Sequence, residues 1–188
     1  MRARVFGTLA GLAVVLSGTL AGQPVPFGPE FQVNTSTTSW PAGPSAAMDP
    51  NGEFTVVWVA IAGTFPPFAD TGIYGQRFSA SGAKLGGEFQ VNTNTTATEW
   101  GEPSVAKDSA GNFIVVWSAK SGSDTGIFAR RFDSAGSPLG DEFQISPTGN
   151  GPSSPSVAFD ASNNFVVVWA YFDILGQRYD STGNLVGG

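Results

Sequence analysis

Charged side chains recur at fixed intervals along the chain, and they are its first candidates for chemistry. Paired carboxylates can perform acid–base catalysis, and the planar guanidinium of arginine can hold a carboxylate through two hydrogen bonds. Because the set returns several times whereas a reaction needs it once, we interpret it as a structural network of ion pairs and hydrogen bonds, and we predict no catalytic residue in it. Its members are Asp49, Asp108, Asp160, Arg77, Arg131, Arg178, Glu88 and Glu142.

Aromatic side chains form the second candidate group. Trp40 and Trp100 fall in connections between repeated segments, and Phe65 and Phe68 fall in a long connection. On one face these rings could stack against a sugar or a peptide, and the alternative is that they seal gaps between sheets. Three further tryptophans occupy equivalent positions at strand ends and are predicted to be core residues: Trp58, Trp117 and Trp169.

The composition argues against metal and cofactor chemistry. The chain has no cysteine, so its stability must come from packing, and it has no histidine, the commonest general base and transition-metal ligand. The stretch DPNGE at 49–53 superficially resembles a calcium loop, but one carboxylate followed by hairpin residues is more typical of a turn. No phosphate loop, nucleophile elbow or metalloprotease motif is present, so we predict no metal and no cofactor.

The N-terminal segment has the pattern of a secretory signal peptide. A basic start is followed by an apolar run over 5–20 and by small residues before Ala21, with no charged stop-transfer segment. We predict cleavage near Ala21, which leaves residues 22–188 as one secreted or periplasmic domain without a membrane span. Removing Arg2 and Arg4 from the 9 basic residues leaves 7 against 15 acidic ones, and such a chain has no basic surface for nucleic acid.

The candidate residues lie in a sequence unit that is repeated three times. PSAAMD, PSVAKD and PSVAFD begin at 44, 103 and 155, and each is followed by FTVVW, FIVVW or FVVVW. The next block reads GIYGQRF, GIFARRF or DILGQRY, and the last reads EFQVNT at 30–35, EFQVNT at 88–93 and EFQISP at 142–147. With the EFQ block placed first, the units span about 30–86, 88–140 and 142–188.

Each block is predicted to be a β-strand, because it is short, rich in Val, Ile, Phe and Trp, and bounded by turn residues. The FVVVW runs are apolar throughout, which indicates cover on both faces, and the EFQV runs alternate. A unit is therefore a four-stranded antiparallel meander that must stack on its copies, as the blade of a β-propeller does. We predict an all-β, propeller-type fold with PSVA innermost and EFQVNT outermost. A twelve-stranded β-sandwich is the competing fold.

The pattern EFQVNT…PSVAxDxxGNFVVVW…GQRFDxxG resembles bacterial β-propeller repeats, and its strand and turn layout is similar to NHL-type blades. The resemblance covers residues 26–188, nearly all of the predicted mature chain. It implies an architecture, since repeats of this type are generic scaffolds, and it implies no particular activity.

The order of the blocks predicts how the repeats close. The chain opens with an outermost strand at 30–35 and stops at 185–188, where the next outermost strand is due. We expect the N-terminal strand to complete the last blade, because an open strand edge is a liability. Three blades would make too tight a ring, so the simplest expectation is a homodimer that forms a six-bladed ring. The alternative is a piece of a longer array.

The variable connections place the candidate ligand face. The offset from the tryptophan to the next block is 14, 9 and 4 residues, and these connections share a face with Trp40 and Trp100. Loops on a rigid scaffold are where binding usually lies. We therefore expect a non-enzymatic, exported binding or interaction module with a carbohydrate or protein ligand. Two alternatives stay open: a lectin-like carbohydrate-binding propeller, and a piece of a larger surface protein or of a hydrolase or lyase.

Overall fold

The computed structural model describes residues 28–36, 39–62, 72–93, 99–121, 124–147 and 151–187. The chain divides into two compact units, Met1–Phe31 and Gln32–Gly188, and of the first unit only the exposed residues 28–31 are described. No helix long and apolar enough to cross a membrane occurs in this part of the chain. The predicted signal peptide, residues 1–21, and the candidates Phe65 and Phe68 lie outside it.

Twelve strands in the described residues form three antiparallel sheets, each a meander of sequential strands. The first sheet has the order β1-β2-β3-β4, and the third has β10-β11-β12. In the middle sheet β7 pairs with both β5 and β6, and β8 and β9 follow. The predicted all-β class with antiparallel meanders is confirmed. The strands are β1 Ser39–Met48, β2 Phe54–Ala62, β3 Gly72–Phe78, β4 Lys84–Gln90, β5 Glu99–Trp100, β6 Ser104–Lys107, β7 Phe113–Ser121, β8 Asp124–Phe132, β9 Phe143–Gln144, β10 Ser153–Phe159, β11 Phe165–Ala170 and β12 Ile174–Tyr179.

Aspartates build the hairpin turns at one end of the sheets, which we call the lower end. Asp108 Oδ1 accepts the backbone N–H groups of Ala110 and Asn112, both at 2.9 Å. Gly111 between them has φ 85°, a conformation that glycine adopts without a steric cost. The Asp-x-x-Gly-x sequence therefore closes the hairpin by satisfying two backbone donors. The same pair of bonds is made by Asp49, Asp160 and Asp180.

The first and middle sheets pack face to face. Val57 and Val59 of β2 and Ile73 of β3 lie in one buried cluster with Val115 and Trp117 of β7. The alternation of side chains along a strand sends every second residue of β2 to this interface. Full burial of each such valine or isoleucine is worth roughly 1.5–3 kcal/mol, so the stacking of sheets supplies much of the stability.

The middle and third sheets repeat that packing one step further along. Ile114 and Val116 of β7 and Ile127 of β8 lie with Val167 and Trp169 of β11 in a second buried cluster. Alternate residues of β7 enter the two clusters, so the middle sheet is covered on both faces. The first strands of successive sheets also contact one another, β1 with β6 and β6 with β10.

The first EFQVNT segment differs from its prediction as an outer strand. Residues 29–34 have no regular secondary structure, and residues 32–35 take no part in the described ladder of β12. Instead the backbone N–H of Thr35 donates to Glu88 of the first sheet, as that of Thr93 donates to Glu142 at 2.8 Å one repeat later. The segment therefore lies beside the first sheet, while the edge it was predicted to cover belongs to the third.

Candidate functional site

A groove opens at the upper end of the sheets, opposite the aspartate turns. Its volume is about 370 Å³, and it lies between Ser118 and Lys120 of β7 and the chain that leads into β10, Gly151–Ser153. We call it the upper groove. Gly101 forms part of its wall and donates its N–H to the Ser118 carbonyl at 2.8 Å. A Cβ at Gly101 would overlap Ser118 Oγ, so the wall needs glycine there.

Exposed aromatic rings stand at the same end of the molecule. Trp40, near the start of β1, is 77% exposed, and Phe172, in the turn between β11 and β12, is 82% exposed. Tyr171 meets Phe172 edge to face, with ring centroids 4.7 Å apart. The backbone of Trp100 pairs with that of Ala119 in the middle sheet.

Sequence reasoning placed Trp40 on this face but missed Tyr171 and Phe172. The connection after Trp169 is the shortest of the three, and long connections were the signal for a binding site. Two adjacent aromatic residues in the three-residue connection between β11 and β12 were the signal that could have identified this site. Both rings are exposed in the structure.

Carboxylates also lie at the upper end, and sequence reasoning did not select them. Glu102 precedes β6 and is exposed, and its side chain lies across Gly43, where a Cβ would overlap it. Asp173 is exposed in the turn before β12, and its carbonyl accepts the N–H of Tyr171 at 2.9 Å. Glu99 lies opposite Lys120 in the backbone register of β5 and β7.

The aspartates that the sequence singled out lie at the lower end, away from this groove. Asp49 is buried and forms an ion pair with Lys107 at 3.0 Å. Burial alone would raise the pKa of Asp49, but Lys107 and the N–H groups of Asn51 and Glu53 hold it below its usual value. The Asn164 side chain and backbone N–H groups likewise lower the pKa of Asp160.

Two of the recurring arginines, Arg77 and Arg131, connect one sheet to the next. Arg131 of the middle sheet donates to the carbonyls of Ser181 and Thr182 in the last turn of the third sheet, at 2.6 and 2.5 Å. Its guanidinium also lies over the Phe165 ring, 5.9 Å from the centroid. Arg77 of the first sheet reaches the equivalent turn of the middle sheet at Gly136. Arg178 of the third sheet is exposed.

The three core tryptophans are buried in their sheets. Trp117 lies in the cluster between the first and middle sheets, and Trp169 in the cluster between the middle and third. Trp58 is also buried and lies against a small groove on the outer face of the first sheet. No group of three or more Asp or Glu side chains in the described ranges comes together as a metal site.

The chain is similar to known proteins in fold but not in sequence. No protein-family model matches the chain, and no curated protein is similar to it in sequence. The solved structures of similar fold include three of which the chain spans 54%, 61% and 56% of the length, respectively.

The first belongs to the GH130 family of mannoside phosphorylases, in a study of glycoside hydrolases that target β-1,2-mannosidic linkages in Candida mannan, with TM-score 0.51, 10% identity and 82% of this chain covered. The second is an endo-arabinase from Bacteroides thetaiotaomicron, with TM-score 0.52, 16% identity and 81% covered. The third is a glycosyl hydrolase from Bacteroides ovatus, with TM-score 0.52, 10% identity and 84% covered.

The prediction of a non-enzymatic scaffold is wrong in the light of these matches. It rested on the premise that stacked repeats of this kind indicate architecture without activity. The solved structures of similar fold include a mannoside phosphorylase family member, an endo-arabinase and a glycosyl hydrolase, so this fold also occurs in enzymes. The recurring charges do not distinguish a scaffold from an enzyme, because they maintain contacts between sheets.

Proposed function

We propose that the protein is a carbohydrate-active enzyme of propeller type, with the three sheets as blades, and that it acts on glycosidic bonds outside the cytoplasm. One observation carries the proposal: the upper groove lies at the end of the sheets where aromatic rings remain exposed. The fold likeness to enzymes that act on mannosidic linkages and on arabinan-type polymers supports the substrate class.

The exposed rings suit a sugar because their faces match the apolar face of a pyranose or furanose ring. Trp40 and Phe172 are the most exposed large apolar side chains in the described residues at this end. Ser118 and Ser153, which line the upper groove, offer hydroxyl groups for sugar hydroxyls.

Hydrolysis of a glycosidic bond needs two carboxyl groups, one as acid and one as base or nucleophile. The lower-end aspartates do not suit this, because their oxygens are already bonded to backbone N–H groups. Their lowered pKa values also make Asp49 and Asp160 poor proton donors near neutral pH. Glu102 and Asp173 lie at the upper end and outside the aspartate turns, so we assign the acid and base roles to these two residues.

Release of reducing sugar from arabinan and from β-1,2-linked mannan tests the proposal. We expect activity on at least one polymer and a fall of roughly 10²–10⁴-fold in kcat for Glu102→Gln, as loss of an acid–base group produces. Asp141→Asn, a matched change at an exposed carboxylate on the connection to β9, should leave kcat unchanged. Equal activity of wild type and Glu102→Gln would remove Glu102 from the site, and no activity on either polymer would contradict the substrate class.

A further inference from the structure

The outer face of the third sheet exposes side chains whose counterparts elsewhere are buried. Ile174 is 76% exposed, whereas Ile73 and Ile127 at the same position of the first and middle sheets are both at 0%. Val168 is 37% exposed, and its counterparts Val57 and Val116 are both at 0%. We call this surface, formed by Val166, Val168 and Ile174, the free face. In the other two sheets the equivalent surface is covered by the next sheet.

The outer face of the first sheet carries the complementary surface. At the first interface, Val115 and Trp117 of β7 pack on Val57 and Ile73 of the preceding sheet. The counterparts of Val115 and Trp117 are Val56 and Trp58. In the first sheet these two residues line an open apolar groove of about 220 Å³ together with Val33, Pro41 and Pro44. The groove lies where the valine and isoleucine of a preceding sheet would insert.

The backbone of the segment 32–35 is placed to complete that contact. In the first sheet Val91 N donates to the Ile73 carbonyl and Ile73 N donates to Asn92 Oδ1, both at 2.8 Å. In the middle sheet Ile145 and Ser146 make the same two bonds with Ile127. In the third sheet, Ile174 is the counterpart of Ile73 and Ile127. Val33 and Asn34 of the N-terminal segment are the counterparts of the residues that bond them. Val33 and Asn34 lie beside the first sheet, and Ile174 lies at the edge of the third.

The arginine contacts between sheets show the same cyclic pattern. A Cβ at Gly136 would lie 2.9 Å from Arg77 Nη1, and one at Gly183 would lie 3.0 Å from Arg131 Nη1. Each arginine therefore reaches the second hairpin turn of the next sheet. Arg178 is exposed, and a Cβ at Gly82, in the second turn of the first sheet, would meet nothing within 4 Å. Arg178 and the turn at Gly82 could therefore form a third contact of the same kind.

We infer that the free face of the third sheet binds the first sheet of a second copy of this chain, and that two such contacts, related by a two-fold axis, close a pair with six sheets. Each contact repeats the interface already made twice within the chain, with Val168 and Ile174 in the groove at Val56 and Trp58. Val33 and Asn34 of one copy then extend the ladder of β12 in the other. A head-to-tail contact of this kind gives a closed ring when its rotation closes. The inference concerns assembly and does not depend on the proposed enzymatic function.

Light scattering and sedimentation of the purified protein over a concentration series test the pair. We expect twice the mass of one chain at micromolar concentration. Ile174→Asp should weaken association by at least roughly 100-fold, because it places a carboxylate in an apolar contact. Ile174 is exposed in the single chain, so the variant should fold, as far-ultraviolet circular dichroism would verify. Leu139→Asp, at a residue that is 55% exposed on the middle sheet, is the matched control and should leave association unchanged.

A variant that strengthens association provides a second test. Lys107 pairs with Asp49 of the preceding sheet at 3.0 Å, and the counterparts of these residues at the new contact are Met48 and Asp160, both exposed. Met48→Lys should therefore tighten the pair by roughly tenfold, and Asp160→Asn should remove that gain. A wild-type protein that stays monomeric, an open series of larger assemblies, or a dimer that Ile174→Asp leaves intact would each overturn the inference.

Discussion

Lys107 illustrates how one altered residue creates a contact between repeats. In the turns that begin at Asp108, Asp160 and Asp180, an asparagine four positions later donates its side-chain N–H to the aspartate Oδ2. The turn that begins at Asp49 has Glu53 at that position, which cannot donate. Lys107 from the neighbouring sheet supplies the missing donor to Asp49 Oδ2. The ion pair therefore compensates for the glutamate.

Replacing Lys107 with methionine, the residue found at the equivalent position 48, should destabilise the protein by about 3 kcal/mol, because it leaves the Asp49 carboxylate buried without its cation. In a Glu53→Asn background we expect about half that cost, since the new amide can donate to Oδ2. Urea unfolding of the four proteins in this double-mutant cycle measures the difference.

Lys84→Met is the matched control for this cycle, because Lys84 is exposed and makes one long hydrogen bond, at 3.3 Å to Thr35 Oγ1. It should change the free energy of unfolding by less than about 0.5 kcal/mol. The same loss of stability for Lys107→Met in both backgrounds would contradict the compensation.

The position of a residue could be predicted from the sequence when the same residue type recurs at the equivalent position of each repeat. The three core tryptophans could be placed from the sequence because each occupies the same position in a repeated strand. The Asp49–Lys107 pair could not, since it joins two repeats and depends on one departure from the pattern. Tyr171, Phe172 and Glu102 were missed for a related reason: each occurs in one repeat, where a search for recurrence does not look.

Among the strands, β2 contains a polar group that the fold does not satisfy. The Thr55 hydroxyl is buried at the interface with the middle sheet, and no hydrogen-bond partner for it is present in the described structure. The equivalent residues are Ile114 in β7 and Val166 in β11, so the position itself favours an apolar side chain. A buried hydroxyl without a partner costs roughly 1–3 kcal/mol.

Thr55→Val should therefore stabilise the protein by about 1 kcal/mol, as measured by the urea midpoint at constant m-value. Valine has the same shape as threonine and fits the β-strand. Thr182→Val is the control, because the Thr182 hydroxyl donates to Asp180 Oδ1 at 2.7 Å and its loss should not stabilise. A decrease in stability for Thr55→Val would indicate that the hydroxyl has a partner in solution.

The strands could be predicted where their hydrogen bonds are made by the backbone. The Asp-x-x-Gly-x turns and the FVVVW runs belong to this class. The EFQVNT blocks do not: β4 ends at Gln90 and β9 at Gln144, earlier than the alternating pattern predicts. The ladder ends there because the next backbone N–H groups of β3 and β8 donate to side chains. The N–H of Ile73 donates to Asn92 Oδ1, and the N–H of Ile127 donates to Ser146 Oγ. Alternation of apolar residues does not reveal such an exchange.

At the scale of the molecule, the sequence predicts that the sheets stack on one another, but it does not predict which sheet is the last in the stack. Apolar runs on both faces require a neighbour on each side, and the middle sheet has both. The sequence of the third sheet demands the same, yet Val166 and Val168 remain exposed. The apolar pattern of a strand indicates that a neighbouring sheet suits its face, but it does not indicate which segment or chain supplies that sheet.

The burial of β7 on both faces has a consequence for the order in which the protein opens. Its amide hydrogens should be the last to exchange with deuterated solvent, because releasing them requires both neighbouring sheets to separate. In the single chain, β11 and β12 should exchange sooner, since one side of that sheet faces water. Peptide-resolved deuterium uptake would show this gradient, and equal protection across all three sheets would mean that the chain opens as a single cooperative unit.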